Sequence, residues 1–182
     1  RGGSAGPLSV ITIRRARASD AEALARLRFA FRTELRPAVE AESTFRARCT
    51  AWMEARLVRE SWLCWVADDD GDLVGHIWLS LIEKIPNPGP EDERHGYITN
   101  FYVSPAKRNQ RVGNRLLDAA LEFCRANGVD SVILWPTDQS RPLYQRHGFD
   151  TPKQVLLAVV GRSRTAPPEP GVKPRKSQRR HL

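Results

Sequence analysis

Long apolar runs are absent from this chain of 182 residues. Nothing approaches the roughly 18 to 20 consecutive apolar residues that a membrane-spanning helix needs. The first nine residues also lack the apolar core of a signal peptide, so residues 1–9 are interpreted as a flexible leader. These two absences favour a cytoplasmic protein that does not use a membrane as a partner.

Cysteine is scarce as well, because the chain contains only Cys49, Cys64 and Cys124. They are odd in number, widely separated and in no C-x-x-C arrangement, which argues against a disulfide framework and against a zinc site. We expect each of them to fill a small apolar gap in the core. No metal is predicted.

Positive charge is abundant but unevenly spread. The net charge is +8, and residues 161–182 contain seven Lys or Arg and one acid, so the rest of the chain carries +2. Because this proline-rich tail has almost no large apolar residue, we predict that it is disordered. A basic tail can bind nucleic acid electrostatically, and a nucleic-acid-associated protein is therefore one alternative. The sequence has no base-reading motif or stacking array, so no specific nucleic-acid partner is expected.

Hydrophobic periodicity predicts six strands and four helices between residues 10 and 160. The strands are expected at residues 10–16, 62–67, 73–82, 97–103, 129–135 and 155–160, and the helices after Ser19, at 44–60, from Val112 to Asn127 and at 140–147. Asp70-Gly71 predicts a tight hairpin between the second and third strands. This order indicates one α/β (α+β) domain, residues 10–160, around a mixed sheet.

The segment that leads from the strand Tyr97–Val103 into the helix at Val112 has the composition of an anion site. The free N–H groups and the dipole of a helix N-terminus favour an anion. Lys107, Arg108, Arg111 and Arg115 crowd this turn, which favours a multiply charged anion such as pyrophosphate. On the local pattern alone, solvated arginines before an ordinary amphipathic helix remain the alternative.

Two segments resemble motifs of the GNAT acetyltransferases. Val103-Ser-Pro-Ala-Lys-Arg-Asn-Gln-Arg-Val-Gly-Asn-Arg-Leu-Leu is similar to motif A, in which V-x-P leads into Q/R-x-x-G-x-G/A. Leu143-Tyr-Gln-Arg-His-Gly-Phe149 is similar to the L-Y-x-x-x-G-F segment that follows at this spacing. The resemblance covers roughly residues 11 to 160, and it departs from the pattern where Arg111 replaces the first glycine.

The resemblance implies a mixed sheet of six to seven strands flanked by about four helices, and direct transfer of an acetyl group from acetyl-CoA to a primary amine. The N–H of Val103, or of a near neighbour, would polarise the thioester carbonyl. Tyr144 would protonate the departing thiolate. The residues expected to contact coenzyme A are Phe101, Tyr102, Val103, Arg108, Asn109, Gln110, Arg111, Val112, Gly113, Asn114, Thr137 and Ser140.

The general base is harder to predict. Several family members use an acid on the central strand, where this chain has Thr99 and Asn100. Glu83 is the first candidate, with His95 and Glu34 behind it, and a chain of water molecules is an equal alternative. The missing acid and the substitution at Arg111 also keep open a non-catalytic acyl-CoA sensor.

The resemblance implies an acceptor groove between the first two helices and the loop before the central strand, and the acceptor is predicted to be a small-molecule or peptide amine. The aromatic candidates there are Phe29, Phe31, Trp52 and Trp78, and the acidic ones are Glu34, Glu83, Glu91, Asp92 and Glu93. The acids would suit a cationic amine, although a charged loop is as often merely solvated. Many members of the family that the chain resembles pair through sheet edges, so the resemblance also suggests a homodimer.

Overall fold

Five strands form one sheet in a computed structural model that describes residues 10–86, 88, 94–152, 156 and 158. They are β1 Thr12–Arg15, β2 Leu63–Asp69, β3 Asp72–Glu83, β4 Arg94–Val103 and β5 Ser131–Ile133. The strands lie in chain order, with antiparallel pairing except between β4 and β5, which are parallel. The sheet is therefore mixed, as the sequence predicts.

The hairpin between β2 and β3 turns on Asp70 and Gly71. Asp69 pairs with Asp72, and the two residues between them have φ angles of 54° and 90°. Positive φ at both positions is the geometry of the hairpin turn that Asp-Gly favours, because its twist matches that of the strands. This predicted turn is confirmed.

The helices cover both faces of the sheet. They are α1 Ala21–Leu35, α2 Glu42–Val58, α3 Val112–Ala126 and α4 Arg141–Arg146. The helices α1 and α2 share a buried cluster with Cys64, Val66 and Trp78, whereas α3 packs with Trp65 and Ile77. Because neighbouring strand residues point to opposite faces, α1 and α2 lie on one side of the sheet and α3 on the other.

The predicted α/β class is thus confirmed, with four α-helices and, in the described part of the chain, five strands in place of six to seven. The sixth predicted strand, residues 155–160, falls mostly outside the described residues. The leader 1–9 and the tail 161–182 lie outside them entirely, so the predicted domain boundaries stay predictions. No helix among the described residues is long and apolar enough to span a membrane.

Candidate active site

The two parallel strands separate halfway along β4. Their pairing runs only from His95 with Ser131 to Tyr97 with Ile133, where β5 ends and β4 continues. Opposite β3, the strand β4 then contains one extra residue between Thr99 and Tyr102, and Asn100 there has a φ of 50°. An extra residue of this kind bends a strand. A wedge therefore opens beside the second half of β4.

The backbone of Val103 faces this wedge. The N–H of Ser104 donates to the carbonyl of Val74 in β3 at 2.8 Å. Since backbone groups alternate sides in an antiparallel pair, both the N–H and the C=O of Val103 point away from β3. The carbonyl accepts a hydrogen bond from Nε of Arg108 at 2.9 Å. The N–H is left facing the side on which β5 has ended.

The N-terminus of α3 begins next to this strand end. Arg111, immediately before it, has a φ of 60°, and the helix start has no side-chain cap. The first-turn N–H groups of Val112, Gly113 and Asn114 are therefore open to an anion. A Cβ added to Gly113 would lie 3.5 Å from the ring of Phe101, which is an ordinary van der Waals distance. The backbone here therefore accommodates either glycine or alanine. The predicted anion site thus has suitable geometry.

The four basic side chains of this turn are not equivalent, in contrast to the prediction that together they hold one anion. Lys107 pairs with Asp69 at 2.6 Å, and Arg115 donates to the backbone carbonyl of Ile11 at 2.8 Å. Arg108 pairs with Glu34. Arg111 is exposed and has no partner within the described residues. Among the four, Arg111 is therefore the cation that is free to meet an anion without losing another contact.

Glu34 joins α1 to β4 and to the turn before α3. Its carboxylate accepts hydrogen bonds from the hydroxyl of Tyr102 and from Nη2 of Arg108, both at 2.6 Å. Burial acts to raise the pKa of Glu34, but the hydrogen bonds from Arg108 and Tyr102 outweigh it and the pKa is lowered. Burial and Glu34 together raise the pKa of Tyr102 to about 12. A carboxylate engaged in this way is a poor general base.

Tyr144 lies beside Phe101, which is in the second half of β4. It is buried in α4, with its ring 6.2 Å from that of Phe101 and 5.6 Å from that of Phe149. Burial raises the pKa of Tyr144 to about 12, so the phenol is protonated at neutral pH. Its hydroxyl makes no hydrogen bond within the described residues. Tyr144 is thus a proton donor without an internal acceptor.

The other predicted contacts differ in what they can offer a ligand. The side chain of Val112 is buried, so only its backbone is available. Gln110 donates to the carbonyl of Ala106, and the hydroxyls of Thr137 and Ser140 bond each other at 3.0 Å. Asn109 is exposed with a φ of 61°. These residues shape the turns on either side of the wedge.

Glu83 is not brought to this site. It pairs across the ladder with Arg94 at the start of β4, six residues before Asn100, which at about 3.3 Å per residue amounts to roughly 20 Å. His95 lies at the same end, opposite Ile82 and bonded to Ser131. The predicted base and its histidine alternative are therefore far from Tyr144 and Val103. Glu91, Asp92 and Glu93 lie outside the described residues.

On the face of α1 and α2, a cleft of about 360 Å³ reaches the bulge of β4. Thr99 and Asn100 line it together with Trp52, Trp78 and Arg28. The two tryptophans were predicted for the acceptor site, whereas Arg28 was not. The sequence could have indicated Arg28, because it is a charged residue on the apolar stripe of a helix, next to Leu24 and Leu27.

Comparison with known proteins agrees with this geometry. The chain matches the Acetyltransferase (GNAT) family model over residues 24–149 and belongs to that family. Family and relatives together identify the chain as an N-acetyltransferase. It is 28% identical, over 77% of its length and 90% of the relative, to the uncharacterized N-acetyltransferase YhfO of Bacillus subtilis. It is 36% identical to the mycothiol acetyltransferase of Beutenbergia cavernae over 53% of this chain, a match that spans only 32% of that relative.

Solved structures show the same fold. A GCN5-related N-acetyltransferase from Ralstonia eutropha aligns with a TM-score of 0.68 and 27% identity, covering 84% of this chain and all of that one (100%). A predicted acetyltransferase from Clostridium acetobutylicum, solved with acetyl-CoA, aligns with a TM-score of 0.66 and 21% identity, covering 82% of this chain and 96% of that one.

Proposed function

We propose that this enzyme transfers an acetyl group from acetyl-CoA to a primary amine of a small molecule or peptide. The observation that supports this most directly is the wedge between β4 and β5. It combines the outward N–H of Val103, the uncapped start of α3 and the protonated Tyr144. The sheet opens where a thioester arm would enter, and these three groups border the opening.

The residues present suit coenzyme A. A pyrophosphate fits the first-turn N–H groups of α3, and Arg111 adds a cation at the same place. The N–H of Val103 is positioned to donate to a carbonyl oxygen within the wedge. Bound acetyl-CoA supplies an activated acyl group. Phe101 and Tyr102 would flank it from β4, with Asn109, Gln110, Thr137 and Ser140 around its two ends.

Tyr144 would supply the proton that the leaving sulfur needs, since it holds that proton at neutral pH and has no internal acceptor. We assign no side chain as the base. Glu83 lies at the far end of the ladder, and Glu34 is held by Arg108 and Tyr102. The proton of the amine would therefore leave through water that enters the open cleft.

We do not assign the acceptors of the relatives to this chain. The matched region of the mycothiol acetyltransferase of Beutenbergia cavernae is about a third of that protein (32%). It supports acetyl transfer to a small molecule as a class. The cytoplasmic location and the homodimer stay predictions.

Calorimetric titration with acetyl-CoA tests the proposal. The intact chain should bind with micromolar affinity, and Arg111→Ala should weaken binding about three- to tenfold through loss of one charged contact. Arg125→Ala, which removes an exposed arginine at the opposite end of α3, is the matched control and should bind normally. S-acetylpantetheine lacks the pyrophosphate and should not distinguish these variants. No binding of acetyl-CoA to the intact chain would refute the cofactor assignment.

A further inference from the structure

The cleft on the face of α1 and α2 contains an arginine without an acidic partner. Arg28 is half-buried, and its only hydrogen bond within the described residues runs from Nη1 to Oδ1 of Asn100 at 2.8 Å. A guanidinium has five N–H donors, so most of them are unused. A partly desolvated cation without a counter-ion is costly unless a ligand provides one.

The cleft as a whole is positive. Arg48 lines it from α2 and pairs at its exposed edge with Glu40 at 2.6 Å. Arg32, one turn after Arg28 on α1, also acts to lower the pKa of Arg28, although burial acts more strongly. No carboxylate is present among the described residues that line the cleft. Of the acids considered for a cationic amine, Glu34 and Glu83 do not line the cleft, and Glu91, Asp92 and Glu93 lie outside the described residues.

The walls of the cleft are aromatic. The ring of Trp52 lies 5.8 Å from that of Trp62 and 6.1 Å from that of Trp78. Trp78 is only 1% exposed, and its Nε1–H has no hydrogen-bond partner within the described part of the chain. The cleft therefore presents apolar ring surface beside the unused N–H donors of Arg28, and both point to a ligand that has an apolar body and an acceptor group.

The arginine is joined directly to the strand of the transfer site. Asn100, which holds Arg28, is the residue of positive φ in the bulge and precedes Phe101, whose ring packs beside Tyr144. If a ligand binds Arg28 through its anionic group, an amine close to that group would therefore lie at the bend of β4. We propose that the acceptor amine carries an anionic group, carboxylate or phosphate, which Arg28 binds, next to an apolar body held by the tryptophans. This rests on the proposed acetyl transfer.

Matched pairs of acceptors test the proposal through coenzyme A release. L-phenylalanine is compared with L-phenylalaninamide, and O-phosphoethanolamine with ethanolamine, with spermidine as a cationic probe. Because the amines of a pair differ in pKa, kcat/KM is expressed per unprotonated amine. On that scale the anionic member of at least one pair should have a kcat/KM at least about tenfold higher, which is the range of a charged hydrogen bond. The pair that responds distinguishes carboxylate from phosphate.

Binding gives a second measurement that does not require turnover. N-acetyl-L-leucine should quench the tryptophan fluorescence of the cleft at lower concentration than N-acetyl-L-leucinamide. Absence of any preference for the anionic member, in turnover and in binding, would overturn the proposal. If acetyl-CoA binds and only neutral or cationic amines are acetylated, this inference fails alone. If acetyl-CoA does not bind, the proposed function fails.

Variants locate the effect. Arg28→Met should raise KM for the anionic acceptor at least about tenfold and leave the affinity for acetyl-CoA unchanged. Arg46→Met is the matched control, because that arginine lies on α2 and pairs with Glu22 and Glu42 away from the cleft. Arg48→Met changes an exposed residue, so it keeps the test valid if Arg28→Met does not fold. This variant should raise KM for the anionic acceptor about threefold. Equal loss of anionic and neutral acceptors would contradict the assignment.

Discussion

The two sides of β4 are built by different means. On the side of β5, the candidate cofactor site consists mainly of backbone groups, namely the N–H of Val103 and the first turn of α3. On the side of α1 and α2, the candidate acceptor cleft consists of side chains from separate parts of the chain, among them Arg28, Trp52 and Trp78. One strand with a single bulge separates them.

This difference explains what each side can vary. A site made of backbone groups depends on the path of the chain and tolerates many side chains, as Arg111 in place of glycine illustrates. A site made of side chains changes its ligand with a single substitution. We therefore expect changes on the first side to alter binding of acetyl-CoA, and changes on the second to alter which amine is used.

The largest effect expected is that of pH, because we assign no side chain among the described residues as the base. Burial, and then the charge of Arg28, lower the pKa of His76 to about 3, and the pKa of Glu34 is lowered as well. Both are deprotonated at neutral pH and above, so neither changes its protonation over the range in which the acceptor amine does. The value of kcat/KM should rise about tenfold per pH unit up to the pKa of the amine, and the midpoint should follow the acceptor chosen.

Glu83→Gln is the control for the pH profile. Because Glu83 lies roughly 20 Å along the ladder from Asn100, this variant should show the same profile. A midpoint between pH 5 and 8 that stays fixed when the acceptor changes would reveal a base on the enzyme. Loss of that midpoint in Glu83→Gln would restore the prediction made from the sequence.

Tyr144→Phe should lower the single-turnover rate about 100-fold, the lower end of what a general acid contributes. The affinity for acetyl-CoA should not change, and the free energy of unfolding should stay within about 0.5 kcal/mol, because the hydroxyl has no partner within the described residues. Tyr97→Phe is the matched control, since that ring packs against Trp62 and Trp135. An unchanged rate would remove Tyr144 from the chemistry.

Asn100→Asp should reduce the preference for anionic acceptors about tenfold. The new carboxylate would face Nη1 of Arg28, which contacts the present amide at 2.8 Å, and would neutralise it. The ratio of kcat/KM for L-phenylalanine to that for L-phenylalaninamide measures the effect. Asn100→Gly is the control, because glycine suits the φ of 50° and leaves Arg28 charged, so the preference should persist. An unchanged ratio in the Asp variant would contradict the role of Arg28.

Local signals in the sequence were sufficient for the elements on the cofactor side. The spacing of apolar residues from Val112 to Cys124 predicted α3, and the six residues that form this apolar stripe are buried. Asp70-Gly71 predicted the hairpin. The turn before α3 was recognisable because backbone N–H groups at a helix start can bind an anion wherever the local path of the chain leaves them open. That path depends on neighbouring residues in the sequence. Composition alone suggested four basic residues for one anion, since it cannot show that Lys107 and Arg115 have partners elsewhere.

The acceptor side could not be predicted in the same way. The contact of Arg28 with Asn100 joins residues 72 positions apart, and neither residue type fixes that distance. The bulge that turns Asn100 depends on the register of β3 against β4, which the alternation of apolar residues does not reveal. For the same reason the sequence could not show that Glu83 lies at the other end of the ladder, opposite Arg94. Contacts distant in sequence decide this half of the site.

Arg111→Gly should have the smallest effect. On the cofactor side, this variant distinguishes the contribution of the backbone path from that of the charge of Arg111. Arg111 has a φ of 60°, a left-handed conformation that costs a residue with a side chain about 1 kcal/mol and glycine almost nothing. Urea unfolding should therefore show Arg111→Gly to be about 1 kcal/mol more stable than Arg111→Ala. Both variants lose the cation and should bind acetyl-CoA about three- to tenfold more weakly. Tighter binding by the glycine variant than by the intact chain would mean that the path of the turn, and not the charge of Arg111, limits how the site holds its anion.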